Sequence, residues 1–367
     1  MHLSKIPSGL RYYIGNAARK RRAVEDSAIA VFDGWSYEEI ITPTVDYYSL
    51  FEQGMGAEAH NAFRFTDFDG RLLALRPDVT SSVARASATL LAEKPRPLRL
   101  CYAAPVFHQR QQTRAEWRRE STQLGCELIG SGSLAADIEP LAILAETLTQ
   151  LRLNGNYRIT LNHVELFNGI AEHLELNKDS RERLRALIDV RDTSGLMDLL
   201  GRLGANEDER KLFARVTRLS GKRAIIEEAR KVIRSTRASA ALDALEKIWD
   251  VLEQLGLADS FEIDLGDVSG LEYYTGLLFK VYVRGSGIRV GRGGRYDQLT
   301  SIFGRAEPAI GFVLDLDALT EVIAESGTNI GRRESARSVE ISSADTISAF
   351  REAMERRARN ERVSMVA

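Results

Sequence analysis

Gln123-Leu124-Gly125-Cys126-Glu127 is the stretch of sequence that decides the fold of this chain. Polar and apolar residues alternate in it, and a period of two predicts a β-strand, which we place at residues 121–129. Gln123, Gly125 and Glu127 then face the same side of that strand. Gly125 has no side chain, which leaves a slot between two polar groups. The sequence therefore predicts a sheet with a small polar ligand on one face.

Further strands and helices are predicted on both sides of this stretch. Residues 98–107 form a second extended run, and the polar segment 109–116 between the two runs is predicted to be a loop. The other predicted elements are helices at 19–32 and 137–151, a hairpin of 64–68 and 72–75, and strands at 37–42, 157–161, 261–264, 273–283 and 309–314. Mixed helices and strands with much antiparallel pairing predict an α+β fold.

Two segments differ in pattern from this sheet domain. Residues 166–258 show charged, amphipathic helical periodicity without strand signals, which predicts a helical insertion. Residues 338–341, 345–359 and 363–366 predict one β-α-β unit. We therefore expect a main domain at residues 1–325 and a short C-terminal unit at 326–367.

Composition indicates an ordinary soluble chain. The 367 residues are 44% hydrophobic and 28% charged, and 50 Lys and Arg against 52 Asp and Glu give a net charge of −2, which does not predict a nucleic-acid partner. No apolar run approaches the roughly 20 residues that span a bilayer, and the N-terminus lacks a secretion signal. We expect a cytoplasmic protein. Cys101 and Cys126 are too few and too distant for a disulfide scaffold or zinc cluster.

Several motifs resemble those of class II aminoacyl-tRNA synthetases. Tyr37-Glu38-Glu39-Ile40-Ile41-Thr42-Pro43 resembles their first signature, a dimer-interface strand that ends in proline. Segments that resemble the histidine pocket of histidyl-tRNA synthetases are Leu75-Arg76-Pro77-Asp78-Val79-Thr80, the 123–127 stretch and Gly293-Gly294-Arg295-Tyr296-Asp297. Together these motifs run in family order from about residue 7 to 319. The resemblance implies an antiparallel sheet flanked by helices.

The resemblance also implies a set of histidine-binding residues. The counterparts of Asp78, Thr80 and Gln123 hold the ammonium group, and those of Glu127, Tyr274 and Tyr296 hold the imidazole; Tyr273 is a further candidate. A carboxylate on one imidazole nitrogen and a phenol on the other would recognise histidine by directional hydrogen bonds. The alternative is structural, with both tyrosines in the core and Asp78 capping a helix that begins at Thr80.

Three arginines that class II synthetases use for catalysis are replaced. Phe-Arg-x-Glu of the second signature reads Phe107-His108-Gln109-Arg110, and the third signature ends in Asp315-Leu316-Asp317-Ala318. The histidyl-specific arginine is Ser269 in Asp267-Val268-Ser269-Gly270-Leu271-Glu272-Tyr273-Tyr274-Thr275-Gly276. Preorganised charges of this kind each contribute about 10²- to 10³-fold in rate. With His108, Ser269 and Ala318 in their places, and Asp315 adding negative charge, we expect no adenylation.

With these departures the chain resembles a family of synthetase relatives, the regulatory subunits of ATP phosphoribosyltransferase. Pro7-Ser8-Gly9-Leu10-Arg11 and the short C-terminal unit also fit it. The resemblance implies no metal and no cofactor, a homodimer through the sheet that bears residues 37–43, a short-form catalytic subunit as partner, and L-histidine as effector.

Two other functions stay open from the sequence. One is a divergent histidyl-tRNA synthetase-like enzyme, and the other is a tRNA-sensing paralogue. Arg118 and Arg119 beside Trp117 could form a stacking platform for nucleic acid, but a solvated, charged strand edge is the expected arrangement.

Overall fold

A computed structural model describes residues 5–109, 118–174, 176–268, 274–287, 289–325, 339–341, 346–359, 361 and 363–365. Most of the predicted 109–116 loop and two predicted site residues, Ser269 and Tyr273, lie outside these ranges. The chain divides into two compact units, residues 1–327 and 328–367.

Twelve strands of the first unit belong to two sheets. They are β1 (Glu38–Glu39), β2 (Val45–Tyr47), β3 (Arg64–Thr66), β4 (Leu72–Leu75), β5 (Leu98–Phe107), β6 (Glu120–Ile129), β7 (Tyr157–His163), β8 (Ser220–Gly221), β9 (Phe261–Asp264), β10 (Leu277–Val283), β11 (Arg289–Arg295) and β12 (Ala309–Asp315). Nine of them form one sheet in the order β1-β5-β6-β12-β11-β10-β7-β9-β8, and β2-β4-β3 form a small antiparallel sheet. The large sheet is antiparallel except at the pairs β1–β5 and β7–β9.

Helices flank the large sheet, so the predicted α+β, synthetase-like architecture is confirmed. They are α1 (Asn16–Gly34), α2 (Tyr48–Met55), α3 (Thr80–Ala88), α4 (Leu134–Gln150), α5 (Val164–Ile170), α6 (Lys178–Asp189), α7 (Thr193–Arg202), α8 (Glu207–Val216), α9 (Ala224–Arg230), α10 (Thr236–Gln254) and α11 (Leu316–Glu325). Helices α1, α4 and α11 pack on one face of the sheet. There Phe32 meets Phe312 edge to face, with ring centroids 5.8 Å apart.

The predicted insertion forms a helical layer, from α5 to α10. Its apolar faces converge on a buried cluster that includes Phe167, Leu184 and Phe213. The expectation that it contains no strand was wrong at Ser220–Gly221, which pairs with β9. A two-residue strand is fixed by its partner across the sheet, and so short a segment carries no periodicity in the sequence.

Three other strand predictions needed correction. Only Glu38–Glu39 of the predicted 37–42 strand pairs in the sheet, since Ser36 has a φ of 63° and Pro43 has no N–H to donate. The predicted 273–283 strand begins at Leu277. Strand β11 was not predicted, because glycine is unfavourable in strands. In the fold, however, a Cβ at Gly293 would overlap the Phe279 ring.

The second unit is the predicted β-α-β unit. Strands β13 (Val339–Ile341) and β14 (Val363–Met365) pair in parallel, with α12 (Thr346–Ala358) between them in the sequence. Ile341, Ala349 and Ala353 form its small core. Within the described part of both units, no helix is long and apolar enough to cross a lipid bilayer.

Candidate functional site

Strand register places the predicted site residues on the sheet face opposite α1, α4 and α11. Gln123, Gly125 and Glu127 pair across β6–β12 with Asp315, Val313 and Gly311. Residues paired directly across an antiparallel ladder point to the same side. All six therefore face the side where the N-terminal end of α3 lies against β6.

Glu127 is the centre of the site. Its side chain is 1% exposed and accepts hydrogen bonds from Thr80 Oγ1 at 2.9 Å, Tyr102 OH at 2.9 Å and Tyr296 OH at 2.5 Å. Burial raises the pKa of Glu127 to about 8, although the three hydroxyl donors lower it. Its carboxyl group therefore exchanges a proton near neutral pH, and a ligand donor that stabilises the charged form would shift that equilibrium.

Asp78 lies two residues before Thr80, the first residue of α3. One of its oxygens, Oδ1, accepts from the backbone N–H of Ser81 at 3.3 Å, as a helix cap would. The other, Oδ2, is buried and has no hydrogen-bond partner in the described part of the chain. Burial raises the pKa of Asp78, while Arg292 and hydrogen bonding lower it. The capping alternative is therefore right for one oxygen only, and the second is available to a ligand.

Gln123 and Thr80 hold this arrangement in place. Gln123 Oε1 accepts from the backbone N–H of Val79 at 3.2 Å, which fixes the start of α3 against β6. Thr80 directs its hydroxyl group at Glu127. Both residues thus position the two acids, and neither is a solvated surface group.

The predicted slot at Gly125 is filled by a neighbouring side chain. Tyr102 on β5 pairs with Gly125, and its ring lies where a Cβ at Gly125 would be. The missing side chain at Gly125 therefore makes space for the Tyr102 ring and leaves no room for a ligand. Gly311 has the equivalent role for Glu127, because a Cβ there would overlap Oε2. Tyr102 and Gly311 were not predicted from the sequence. The available signal was the glycine in each cross-strand pair, Gly125 opposite Tyr102 and Gly311 opposite Glu127.

These groups surround a pocket whose empty space, open solvent included, is about 230 Å³. It is lined by Asp78, Thr80, Glu127, Tyr274, Arg292, Tyr296 and residues 311–313. Tyr274 and Tyr296 also pack in the apolar cluster under α3, so each serves both the core and the pocket. Arg292, on β11, was not predicted from the sequence.

Comparison with known proteins identifies the family. A family model described as histidyl-tRNA synthetase matches residues 9–319. The ATP phosphoribosyltransferase regulatory subunit of Moorella thermoacetica is 35% identical over 316 residues, covering 86% of this chain and 81% of that protein. A crystal structure from Bacillus halodurans C, described as an ATP phosphoribosyltransferase regulatory subunit/histidyl-tRNA synthetase, matches with a TM-score of 0.86 and 29% identity over 100% of this chain and 93% of that one.

This chain belongs to the ATP phosphoribosyltransferase regulatory subunit family. The resemblance inferred from the motifs is thereby confirmed. The histidyl-tRNA synthetase of Nostoc sp. PCC 7120 matches with a TM-score of 0.80 at 20% identity, over 99% of this chain and 86% of that one, and so shows the shared fold alone.

In this member of the regulatory subunit family, a neutral side chain stands at both described positions predicted to have lost an arginine, His108 and Ala318. His108 is largely buried, burial lowers its pKa to about 4, and its Nδ1 has no partner among the described residues. Ala318 is buried in α11. Ser269 lies outside the described residues.

The acids beside Ala318 are neutralised by arginines of the same chain. Asp317 Oδ1 accepts from Arg21 Nε at 2.9 Å and from Tyr13 OH at 2.7 Å. Arg118 lies 3.4 Å from Asp315 and also pairs with Glu321. The negative charge expected at Asp315 is therefore offset by an ion pair with Arg118.

The expectation of a solvated edge at Arg118 and Arg119 was wrong. The side chain of Arg118 is only 9% exposed. The guanidinium group of Arg119 stacks on Phe63, 4.6 Å from the ring centroid. Both side chains pack inward because acidic and aromatic partners lie beside them, and Trp117 is outside the described residues.

Proposed function

We propose that this chain is a non-catalytic regulatory subunit of ATP phosphoribosyltransferase. It is required with the short-form catalytic subunit for the first step of L-histidine biosynthesis and mediates feedback inhibition by L-histidine. The observation that carries this proposal is the buried Glu127 carboxyl group, held by three hydroxyl groups in the same pocket as the Asp78 oxygen that lacks a partner among the described residues.

The polarity of this pocket suits histidine. A ligand ammonium group beside Asp78 Oδ2 would satisfy an acceptor that burial otherwise makes costly. An imidazole N–H would donate to Glu127, while Tyr274 offers a phenol to the second ring nitrogen. Tyr273 stays a candidate for the same site. Two acids at separate points favour a ligand with two donor groups over a simple apolar amino acid.

The positions predicted to have lost an arginine support a non-catalytic role. Adenylation concentrates charge on the α-phosphate of ATP, which needs fixed cations in a dry site. His108 is a neutral imidazole there, and Ala318 carries no charge. Arg21 and Arg118 already bind carboxylates of this chain. A nucleotide would have to compete with those internal ion pairs.

Assembly is proposed through the edge of the sheet. Strand β1 ends the nine-stranded sheet, and Ile41 beyond it is 89% exposed. An exposed apolar residue at a sheet edge is suited to a second copy of this chain. Within such a dimer, histidine would favour the less active state of bound catalytic subunits. A coupling of about 1–3 kcal/mol, or about 5- to 150-fold, is the usual scale of such an effect.

The test is reconstitution with a short-form phosphoribosyltransferase. We expect co-purification, higher formation of phosphoribosyl-ATP with this chain than without it, and inhibition by L-histidine. Glu127→Ala should abolish the inhibition while the activation by complex formation remains. The matched control is Glu120→Ala, which removes an exposed glutamate from the same strand and should change neither property.

Unchanged inhibition in Glu127→Ala would refute the assignment of the pocket. The two rival functions have separate readouts. Pyrophosphate exchange with histidine and ATP by the isolated chain would identify an enzyme. Retention of tRNA on a filter, with an affinity that falls steeply with salt, would identify a tRNA-sensing paralogue.

A further inference from the structure

The proposed ligand carries a negative charge for which the sequence analysis found no partner. An α-amino acid at neutral pH has a carboxylate as well as an ammonium group. The arginine that would meet this carboxylate in the synthetases is Ser269 here. A carboxylate buried in a pocket without a cation or hydrogen-bond donors would bind poorly.

Arg292 lies where such a cation is needed. Arg292 pairs with Val313 on β12, and Val313 in turn pairs with Gly125 on β6. On its other side, Arg292 pairs with Lys280 on β10. These cross-strand pairs place Arg292 on the pocket face of the sheet. Its side chain lines the same pocket as Asp78 and Glu127 and is 15% exposed.

Strand register fixes the separation of the Arg292 and Glu127 backbones. Glu127 pairs with Gly311, and Gly311 pairs with Gly294, two residues along β11 from Arg292. The backbones of Arg292 and Glu127 are thus about 10 Å apart across the sheet, which is two strand spacings, and about 7 Å apart along the strands, which is two residues. Side chains that approach each other across this gap can hold opposite ends of a small molecule.

Arg292 acts electrostatically on the groups around the pocket. Its positive charge lowers the pKa of Asp78, opposing the effect of burial. It also lowers the pKa of Tyr274 and helps keep His108 neutral. Arg292 Nη2 also lies 3.9 Å from Glu58 Oε2, the outer limit for an ion pair. A ligand carboxylate in hydrogen-bonding contact would bind Arg292 more strongly than Glu58 does at that distance.

Lys280, the partner of Arg292 on the same sheet face, is held by internal acids. It is 4% exposed and pairs with Asp267, and it also lies 3.0 Å from Asp189. Arg295 lies on the opposite face of the sheet, where it pairs with Asp137 of α4 at 2.6 Å. Neither side chain lines the pocket that contains Glu127.

We infer that Arg292 binds the carboxylate of the amino-acid effector, in place of the arginine that Ser269 replaces, while Asp78 Oδ2 binds its ammonium group. This assignment rests on the proposed function of the pocket. It makes Arg292 a specificity-determining residue that selects a complete α-amino acid over analogues with the same imidazole and amine.

The test is titration calorimetry of the full chain with L-histidine and with L-histidinol, which has a hydroxymethyl group instead of the carboxylate. We expect wild-type protein to prefer L-histidine by about 10- to 100-fold, the range for charge-assisted hydrogen bonds. Arg292→Met should remove this preference by weakening the binding of L-histidine and leaving that of L-histidinol unchanged. Arg292→Lys should restore part of it, since a lysine keeps the charge without the planar pair of donors. Arg284→Met, which removes an exposed charge from the turn after β10, should retain the preference.

Each outcome bears on one of the two proposals. If wild-type protein releases no heat with L-histidine, the proposed function itself is refuted. If wild-type protein binds L-histidine and Arg292→Met keeps the preference over L-histidinol, only the role of Arg292 is refuted. Arg292→Met could also fail to bind either ligand while its thermal unfolding curve is unchanged. That result would overturn the role too, because it would show a structural effect on the whole pocket.

Discussion

Glu127→Gln should remove a specific pH dependence from the stability of this protein. In the native pocket burial raises the pKa of Glu127 from 4.5 to about 8. Between those two pH values the native state therefore keeps a proton that the unfolded chain releases. Stability contributed by this group is fully present below about pH 4.5 and is lost as pH rises toward 8. Glutamine has the same shape and cannot titrate.

The size of the effect follows from the pKa shift. A rise from 4.5 to about 8, at about 1.4 kcal/mol for each pKa unit, gives about 5 kcal/mol over the whole interval. Glutamine also changes the hydrogen bonds to Thr80, Tyr102 and Tyr296, which costs about 1–3 kcal/mol. That cost is nearly independent of pH, so it shifts the curve without changing its slope.

Urea unfolding followed by tryptophan fluorescence, at steps from about pH 5 to about pH 8.5, measures the difference between the two proteins. Other titrating groups, such as His108 and His163 with pKa values of about 4, are common to both and cancel. Wild-type protein should lose most of the about 5 kcal/mol relative to the variant as pH rises. Glu120→Gln, at an exposed site on the same strand, should follow wild type. Parallel curves for wild type and Glu127→Gln would refute the reasoning.

Three further variants test the packing of the site, the buried ion pair between Lys280 and Asp267, and the edge of the sheet. Gly311→Ala places a Cβ on Glu127 Oε2, so calorimetry should show loss of L-histidine binding together with about 1–3 kcal/mol of destabilisation in urea. Lys280→Met leaves Asp267 buried without its cation and should lower the free energy of unfolding by about 3–5 kcal/mol. Ile41→Glu, at a site 89% exposed beyond the edge strand, should convert the proposed dimer to monomer in size-exclusion chromatography with light scattering.

Matched variants control for these effects. Gly34→Ala adds a methyl group where nothing lies within 4 Å. Lys211→Met breaks an ion pair whose side chains are 65% and 71% exposed, and such pairs contribute little. Leu90→Glu adds charge at a site 87% exposed. Histidine binding by Gly311→Ala would contradict the expected loss of the site. A wild-type urea midpoint for Lys280→Met would contradict the expected destabilisation, and a monomeric wild-type protein would contradict the proposed dimer.

Local pattern was sufficient to predict the elements that are long or alternate regularly. The β6 strand and its polar face followed from the alternation of Gln123 and Glu127, and α4 from helical spacing. Strand β11 could not be found in this way, because its glycines are selected by neighbours on β10 and β12. Those neighbours are distant in sequence, and strand propensity describes only the local chain.

The limits of the site prediction have the same origin. The resemblance to the synthetases placed Asp78 and Glu127 in one pocket, and the structure brings them together. The slot at Gly125 was assigned to a ligand because nothing in the local sequence shows that Tyr102 fills it. Arg292 was missed for a related reason: which face of the sheet it occupies depends on a strand that the sequence did not predict.

The pocket and the region around Ala318 differ in how their charges are satisfied. Around Ala318, Arg21 and Arg118 are bound by acids of the same chain. Such a network is complete without a ligand, and a nucleotide would have to break it. In the pocket, Asp78 keeps a buried oxygen without a partner among the described residues, and Glu127 keeps a proton only because it is buried. Since unsatisfied buried acids cost stability that a cationic or N–H donor can recover, a ligand in the pocket would gain contacts without breaking any, whereas a nucleotide near Ala318 would first have to break internal ion pairs. Binding in the pocket therefore does not require a nucleotide near Ala318, because the contacts described give the two regions no common side-chain partner.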